Sequence, residues 1–194
     1  MLNLENYHIT HNNEALHTGK VLIATPFSSS SVFAQSVVLL IEHSENQSVG
    51  LFLNKQLPPK VSKEINRLFS QQLPLQSGGP LGVDELFYLH TLGSKIPRST
   101  QILPNIYVGG EFETVQDYIA DDNTEGDFRF FVGYCGWGKN QLQREFNNNE
   151  WIVTTLTRSA IFAADTKNLW KNSLETMGGK YKMWAEFPKN PAYN

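Results

Sequence analysis

Three apolar runs near the start of this 194-residue chain constrain its fold most: Val21-Leu22-Ile23-Ala24, then Gln35 to Glu42 around Val37-Val38-Leu39-Leu40-Ile41, then Val49-Gly50-Leu51-Phe52-Leu53-Asn54. Runs this short, apolar at successive rather than alternate positions, predict strands buried on two faces. Pro26 to Ser31 reads as the loop joining the first two. The polar stretch His43 to Ser48 predicts that the second run turns back on the third as a hairpin, with a loop longer than the tight two-residue kind. The sheet therefore begins with antiparallel pairing.

Further strands are predicted over Glu85 to Leu89, Ile106 to Val108, Phe128 to Gly133 and Trp151 to Thr155. Val61, Ile65, Leu68 and Phe69 share one face of a short helix. Phe112, Val115 and Ile119 do so in a second helix, after Gly109-Gly110. A last helix, about Thr166 to Met177, puts Leu169, Trp170, Leu174 and Met177 on one side and stops at Gly178-Gly179. Strands and helices follow one another without steady βαβ alternation, which predicts a mixed α+β fold. The length suits one domain, assigned to residues 19–179. Residues 1–18 read as a polar, loosely held extension. Residues 180–194 read as a tail in which Lys180, Lys182 and Lys189 mix with Tyr181, Trp184, Phe187 and Tyr193, packing over the domain.

Charge narrows the function classes. Sixteen Lys and Arg against 19 Asp and Glu leave a net charge of −3, so no global positive field gathers nucleic acid or anionic lipid. Val37 to Ile41 falls far short of the roughly 20 apolar residues that span a bilayer, and the amino terminus lacks the pattern of a secretory signal. A cytoplasmic protein is the expectation. One cysteine excludes an intramolecular disulfide and any multi-cysteine metal site. His8, His11 and His17 lack a fourth ligand on a fixed backbone, and neither a metal nor a cofactor is expected.

Phe128 to Asn140 reads as a buried strand, a glycine-rich turn, and a helix carrying Leu142 and Phe146 inward. Three chemistries suit it. Residues 133–139 have the Gly-x-x-x-x-Gly-Lys spacing of a phosphate cradle, but Asn140 stands where Ser or Thr should reach a metal ion. Cys135 at a strand-to-helix elbow could be a nucleophile, with His43 or His90, each following a strand, as its base. The third chemistry is a small anion held near residues 136–140 by turn N–H groups beside Lys139. Against each stands a close-packed turn with a buried structural thiol.

Several pieces together resemble one family. They are Gly19 to Pro26; Phe33 and Ser36 to His43; Val49 to Asn54; Gly78-Gly79-Pro80; Leu89-His90; Gly109-Gly110-Glu111-Phe112; Gly133-Tyr134-Cys135-Gly136-Trp137; and Gln141-Leu142 through Glu145 to Trp151. In order and spacing they resemble the YqgE/AlgH family of bacterial proteins, over Gly19 to about Met177. Arg129-Phe130-Phe131 and the Gly-Gly-Glu-Phe piece resemble its Bacteroidetes-type branch. The resemblance implies an α+β fold with a mixed, largely antiparallel sheet partly closed into a small barrel, and flanking helices. It does not imply an enzyme. Some members carry the label of transcriptional regulator, yet no helix-turn-helix or basic recognition helix is visible here. The family commonly has Ala or Ser at the position of Cys135 and no standard lysine at that of Lys139, which counts against both catalytic readings. The matching positions His43, Asn54, Tyr134, Trp137, Gln141 and Glu145 nominate a shared pocket, with Gly136, Gly138 and Lys139 from the turn. The expectation is a non-enzymatic binding or regulatory protein with a protein or small-molecule partner. The alternative is a cysteine-dependent hydrolase or transferase.

Overall fold

A computed structural model describes residues 8–9, 14–28, 30–67, 69, 72–120 and 126–188. The early apolar runs form β1 (Val21–Ala24), β2 (Val37–His43) and β3 (Ser48–Phe52), paired antiparallel in that order. The chain continues through α1 (Pro59–Asn66), β4 (Leu75–Ser77), β5 (Leu81–His90), β6 (Thr100–Leu103), β7 (Ile106–Val108) and α2 (Phe112–Ala120). It finishes with β8 (Phe128–Trp137), α3 (Gln141–Asn147), β9 (Trp151–Thr154), α4 (Arg158–Ile161), α5 (Leu169–Met177) and α6 (Gly179–Trp184). Strand order is β6-β7-β5-β8-β3-β2-β1-β9, and β4 adds to β8 as the one parallel pair among the described strands. The sheet curls into a half-barrel flanked by the six helices, a mixed α+β architecture.

Burial on two faces explains why the early runs carry an apolar residue at every position. Val21 and Ile23 of β1 and Leu39 of β2 face the concave core with Leu51, Phe131 and Trp170. Leu22, Ala24 and Leu40 face outward beneath Leu142 of α3, with Trp137 and Trp151. A third cluster, around Tyr88, Phe130 and Val132, lies under α1 and α2. Each fully buried aliphatic side chain contributes roughly 1.5–3 kcal/mol.

The strand expected to stop at Gly133 runs on to Trp137. Residues 133–137 are therefore not a turn. Gly133, at φ +75°, marks where β8 leaves the pairing with β4 and takes up β3, while its register with β5 shifts. At the same level the chain between β4 and β5 passes over β8 through Gly78-Gly79. A Cβ on Gly78 would lie 2.0 Å from the Gly133 carbonyl oxygen, and one on Gly79 would lie 1.9 Å from the Tyr134 carbonyl carbon. Only glycine allows backbone to cross backbone that closely.

Other differences are local. Val61 of α1 is exposed while Ile65 and Phe69 pack inward, and Leu68 lies outside the described residues. The last helix begins at Leu169 rather than near Thr166, because Thr166 and Asn168 supply its entry turn. Gly178 at φ +69° ends it, but α6 follows at once and drives Tyr181 and Trp184 into the concave core. In the described part of the amino-terminal stretch Ile9 and Leu16 pack on the core, and Glu14 pairs with Lys20. His11, Lys189 and Tyr193 lie outside the described residues.

Candidate functional site

The β2–β3 hairpin tip and the end of β8 meet at the mouth of the half-barrel, because Ser48 pairs with both His43 and Trp137. A groove of about 510 Å³ opens there over Ile41, Val49, Phe87 and Tyr134, with Glu42 and Glu85 at its sides and Gly136 and Gly138 at its end. A smaller hollow of about 270 Å³ adjoins it through the shared Ser48 and Gly138, and is walled by His43, Glu45, Asn140 and Leu142. Volumes of this order suit small ligands or inserted side chains, and barrel mouths are a favoured place for them.

The nominated residues divide into three groups. Tyr134, Gly136, Trp137 and Gly138 line the mouth, and His43 lines the adjoining hollow. His43 Nδ1 lies 2.8 Å from Ser48 Oγ. Burial, and then the nearby His17, hold the His43 imidazole below the ordinary histidine pKa.

A second group is occupied in holding the fold. Glu145 Oε2 accepts the indole N–H of Trp137 and of Trp151, each at 2.8 Å, while its Oε1 accepts from Gln141 Nε2 at 2.9 Å. Trp137 also stacks on Phe33, with ring centroids 5.5 Å apart. Asn54 accepts from the Val37 N–H at 2.9 Å and donates to the Gln35 carbonyl at 2.8 Å, fixing the entry to β2. Gln141 and Glu145 anchor α3, and Asn54 anchors β2. None of the three lines either hollow.

The catalytic constellation does not assemble. Cys135 lies within β8 and not at an elbow, is fully buried, and its thiol donates to the Gly78 carbonyl at 3.5 Å. Burial pushes that thiol's pKa far up, the opposite of an activated nucleophile. Cys135 pairs with Gly50 and His90 with Phe128, which places them roughly 20 Å apart along β8 at ~3.3 Å per residue. His90 is itself sealed, accepting from the Leu92 N–H and donating to the Gly109 carbonyl while stacked on Tyr107. Around residues 136–140 the phosphate-cradle geometry is missing too. Gly136 and Trp137 pair with β3, and the Gly138 N–H donates to Gln141 Oε1 at 3.1 Å. Lys139 is exposed and lines neither hollow.

Sequence reasoning missed Ser48, Leu81, Glu85 and Phe87 as parts of the mouth. The signal available was the pair Leu81 and Val83, apolar residues standing among Gly82, Asp84 and Glu85. They are 46% and 69% exposed, among the most exposed large apolar side chains of the described residues.

Fold and site together define a class: an α+β half-barrel with a groove at its mouth, built on the glycine- and tryptophan-bearing end of its central strand. The chain belongs to the AlgH-like family, whose model matches residues 21–182. It is 41% identical over 190 residues to a UPF0301 protein of Bacteroides thetaiotaomicron, covering 97% of this chain and 96% of the relative. A UPF0301 protein of Parabacteroides distasonis is 38% identical, covering 97% and 96%. In fold it is similar to a Corynebacterium diphtheriae protein, with TM-score 0.71 and 23% identity over 90% of this chain and 94% of the other. The AlgH protein of Pseudomonas aeruginosa matches with TM-score 0.68 and 22% identity, over 91% and 98%. Among the described residues no helix is long and apolar enough to cross a membrane.

Proposed function

We propose that this chain is a non-enzymatic binding protein of the cytoplasm, regulatory in role, whose working surface is the mouth of the half-barrel. One observation carries the reading. Tyr134, Gly136 and Trp137 of the shared Gly133–Trp137 motif, with Gly138 directly after it, line an open groove, whereas Cys135 of the same motif is sealed beneath it. A strand that turns its small and amphipathic residues toward a groove while burying its thiol suits recognition better than nucleophilic chemistry. A second cavity of about 410 Å³, between β9 and α5, contains none of the nominated residues and is the weaker candidate. Direct DNA recognition has no support in a chain of net charge −3, so regulation would pass through a partner.

The test is to titrate the isotope-labelled chain with a set of neutral fragments and map the amide shifts. Perturbations are expected to cluster at Ser48, Tyr134 and Gly136, and Tyr134→Ala is expected to weaken the hits. Fragments that bind elsewhere, or none that bind the mouth at ~1 mM, a level that reaches interactions of about −4 kcal/mol, would overturn the reading.

A further inference from the structure

The mouth carries charge of one sign. Glu42 and Glu85 line it, no Lys, Arg or His does, and Glu45 stands in the adjoining hollow. Asp84 is exposed beside Glu85. Among the described residues none of these four carboxylates is in an ion pair, whereas Glu14, Glu111, Asp127, Glu175 and Glu186 each meet a Lys or Arg. Glu42 accepts only the neutral amide of Gln47, at 2.6 Å.

Beside these carboxylates lies apolar surface and open backbone. Leu81 and Val83 are exposed, and the Phe87 and Tyr134 rings meet at 5.6 Å within the groove. The register between β5 and β8 skips from Leu81 to Leu86, and β7 pairs with β5 only at Leu89 and His90. Residues 82–85 thus have no ladder partner among the described strands. They form a bulge that Gly82, at φ +54°, turns out of the ladder, and backbone set free of a ladder next to exposed apolar side chains can take up an added strand.

We propose that the mouth takes an extended, basic segment of a partner protein. Its backbone lies along residues 82–85 and its apolar side chains rest on Leu81, Val83 and Tyr134. Its Lys or Arg side chains reach Glu42 and Glu85. This rests on the mouth being the binding surface, as argued above, and adds the chemistry of the occupant. Charge complementarity selects that occupant. Anionic ligands and nucleic acid meet four carboxylates, and two copies of this face would set carboxylates against carboxylates.

The experiment measures fluorescence anisotropy of a labelled nine-residue peptide of alternating Lys and Val or Thr against the full chain, beside a counterpart with Glu in place of Lys. The basic peptide is expected to bind in the micromolar range and the acidic one at least roughly 100-fold more weakly, with affinity falling as salt shortens the screening length from about 14 Å to 6 Å. Glu85→Lys and Glu42→Lys are each expected to weaken binding by roughly tenfold, and Val83→Ser severalfold. Glu113→Lys, the same charge change on the exposed face of α2, is expected to leave it unchanged. Equal binding of the two peptides, an equal loss from Glu113→Lys, or no binding of the basic peptide would overturn the proposal. Dimerisation of the free chain that Glu85→Lys abolishes would instead identify a second copy as the occupant, and would also overturn it. Neutral fragments that shift Tyr134 while the basic peptide does not would sink the charge argument and leave the mouth as a binding site. If neither perturbs the mouth, both readings fall.

Discussion

Replacing Gly79 by alanine tests the central feature of the fold, the passage of one chain segment over β8. The added Cβ would sit 1.9 Å from the Tyr134 carbonyl carbon, 2.0 Å from its oxygen and 2.3 Å from the Cys135 nitrogen. Carbon atoms settle at about 3.5–4.0 Å, so β8 would have to retreat by roughly 1.5–2 Å. All three obstructing atoms are backbone, and they belong to a strand paired with β3 on one side and β5 on the other. Overpacking of this kind costs roughly 1–3 kcal/mol, and each ladder hydrogen bond lost at Cys135 or Tyr134 adds about 1 kcal/mol. A total of roughly 3–5 kcal/mol is expected, a large part of the ~5–15 kcal/mol that holds a protein folded. In melting temperature this is a fall of roughly 6–20 °C for a chain of this length. Urea unfolding followed by the four tryptophans reads it as a lower midpoint with an unchanged slope. Gly138→Ala is the control. It has no neighbour within 4 Å of the added atom and an ordinary φ, so it should change stability by less than about 0.5 kcal/mol. A Gly79→Ala protein as stable as Gly138→Ala would refute the crossing geometry.

Three further expectations follow from buried or half-buried groups. Burial holds the His90 imidazole below its ordinary pKa of 6.5, so the unfolded chain binds the extra proton first and stability is lost as pH falls below about 6.5. Urea midpoints between pH 5 and 8 should show that slope, and His90→Phe should reduce it, with the contribution of His43, lowered in the same direction, remaining. The Cys135 thiol should ignore a disulfide reagent at neutral pH in the native chain and react fully in urea; rapid native labelling would contradict its burial. Glu145→Gln should cost roughly 2–3 kcal/mol and shift tryptophan emission, because an amide turns a donor toward Gln141 or the two indoles that the carboxylate now accepts. An unchanged spectrum and urea midpoint would show that this junction does not hold α3.

How legible each part was depends on the range of the physics behind it. The hairpin of β2 and β3 was plain in sequence, because continuous apolar runs around a polar loop have few ways to bury themselves. Ile106 to Val108 and the helix after Gly109-Gly110 were equally local. The stretch 133–137 was not, since glycine is as compatible with a bent strand as with a turn, and only pairing with β3 makes it a strand. Glu145 of α3 looked like a ligand group because its indole partners sit on two separate strands, β8 and β9.

By itself the sequence determined the α+β class, the double burial of the early strands, the family and the absence of any net positive field. Its short-range patterns suffice for those, because periodicity and composition act within a few residues. Tertiary structure alone decided that Cys135 of β8 and His90 of β5 stand far apart along their paired strands and that Asn54, Gln141 and Glu145 spend their hydrogen bonds inside the fold. It also decided that Glu42 and Glu85 share a groove. Those facts depend on which strands become neighbours, and pairing between segments tens of residues apart is settled by the packing of the whole sheet.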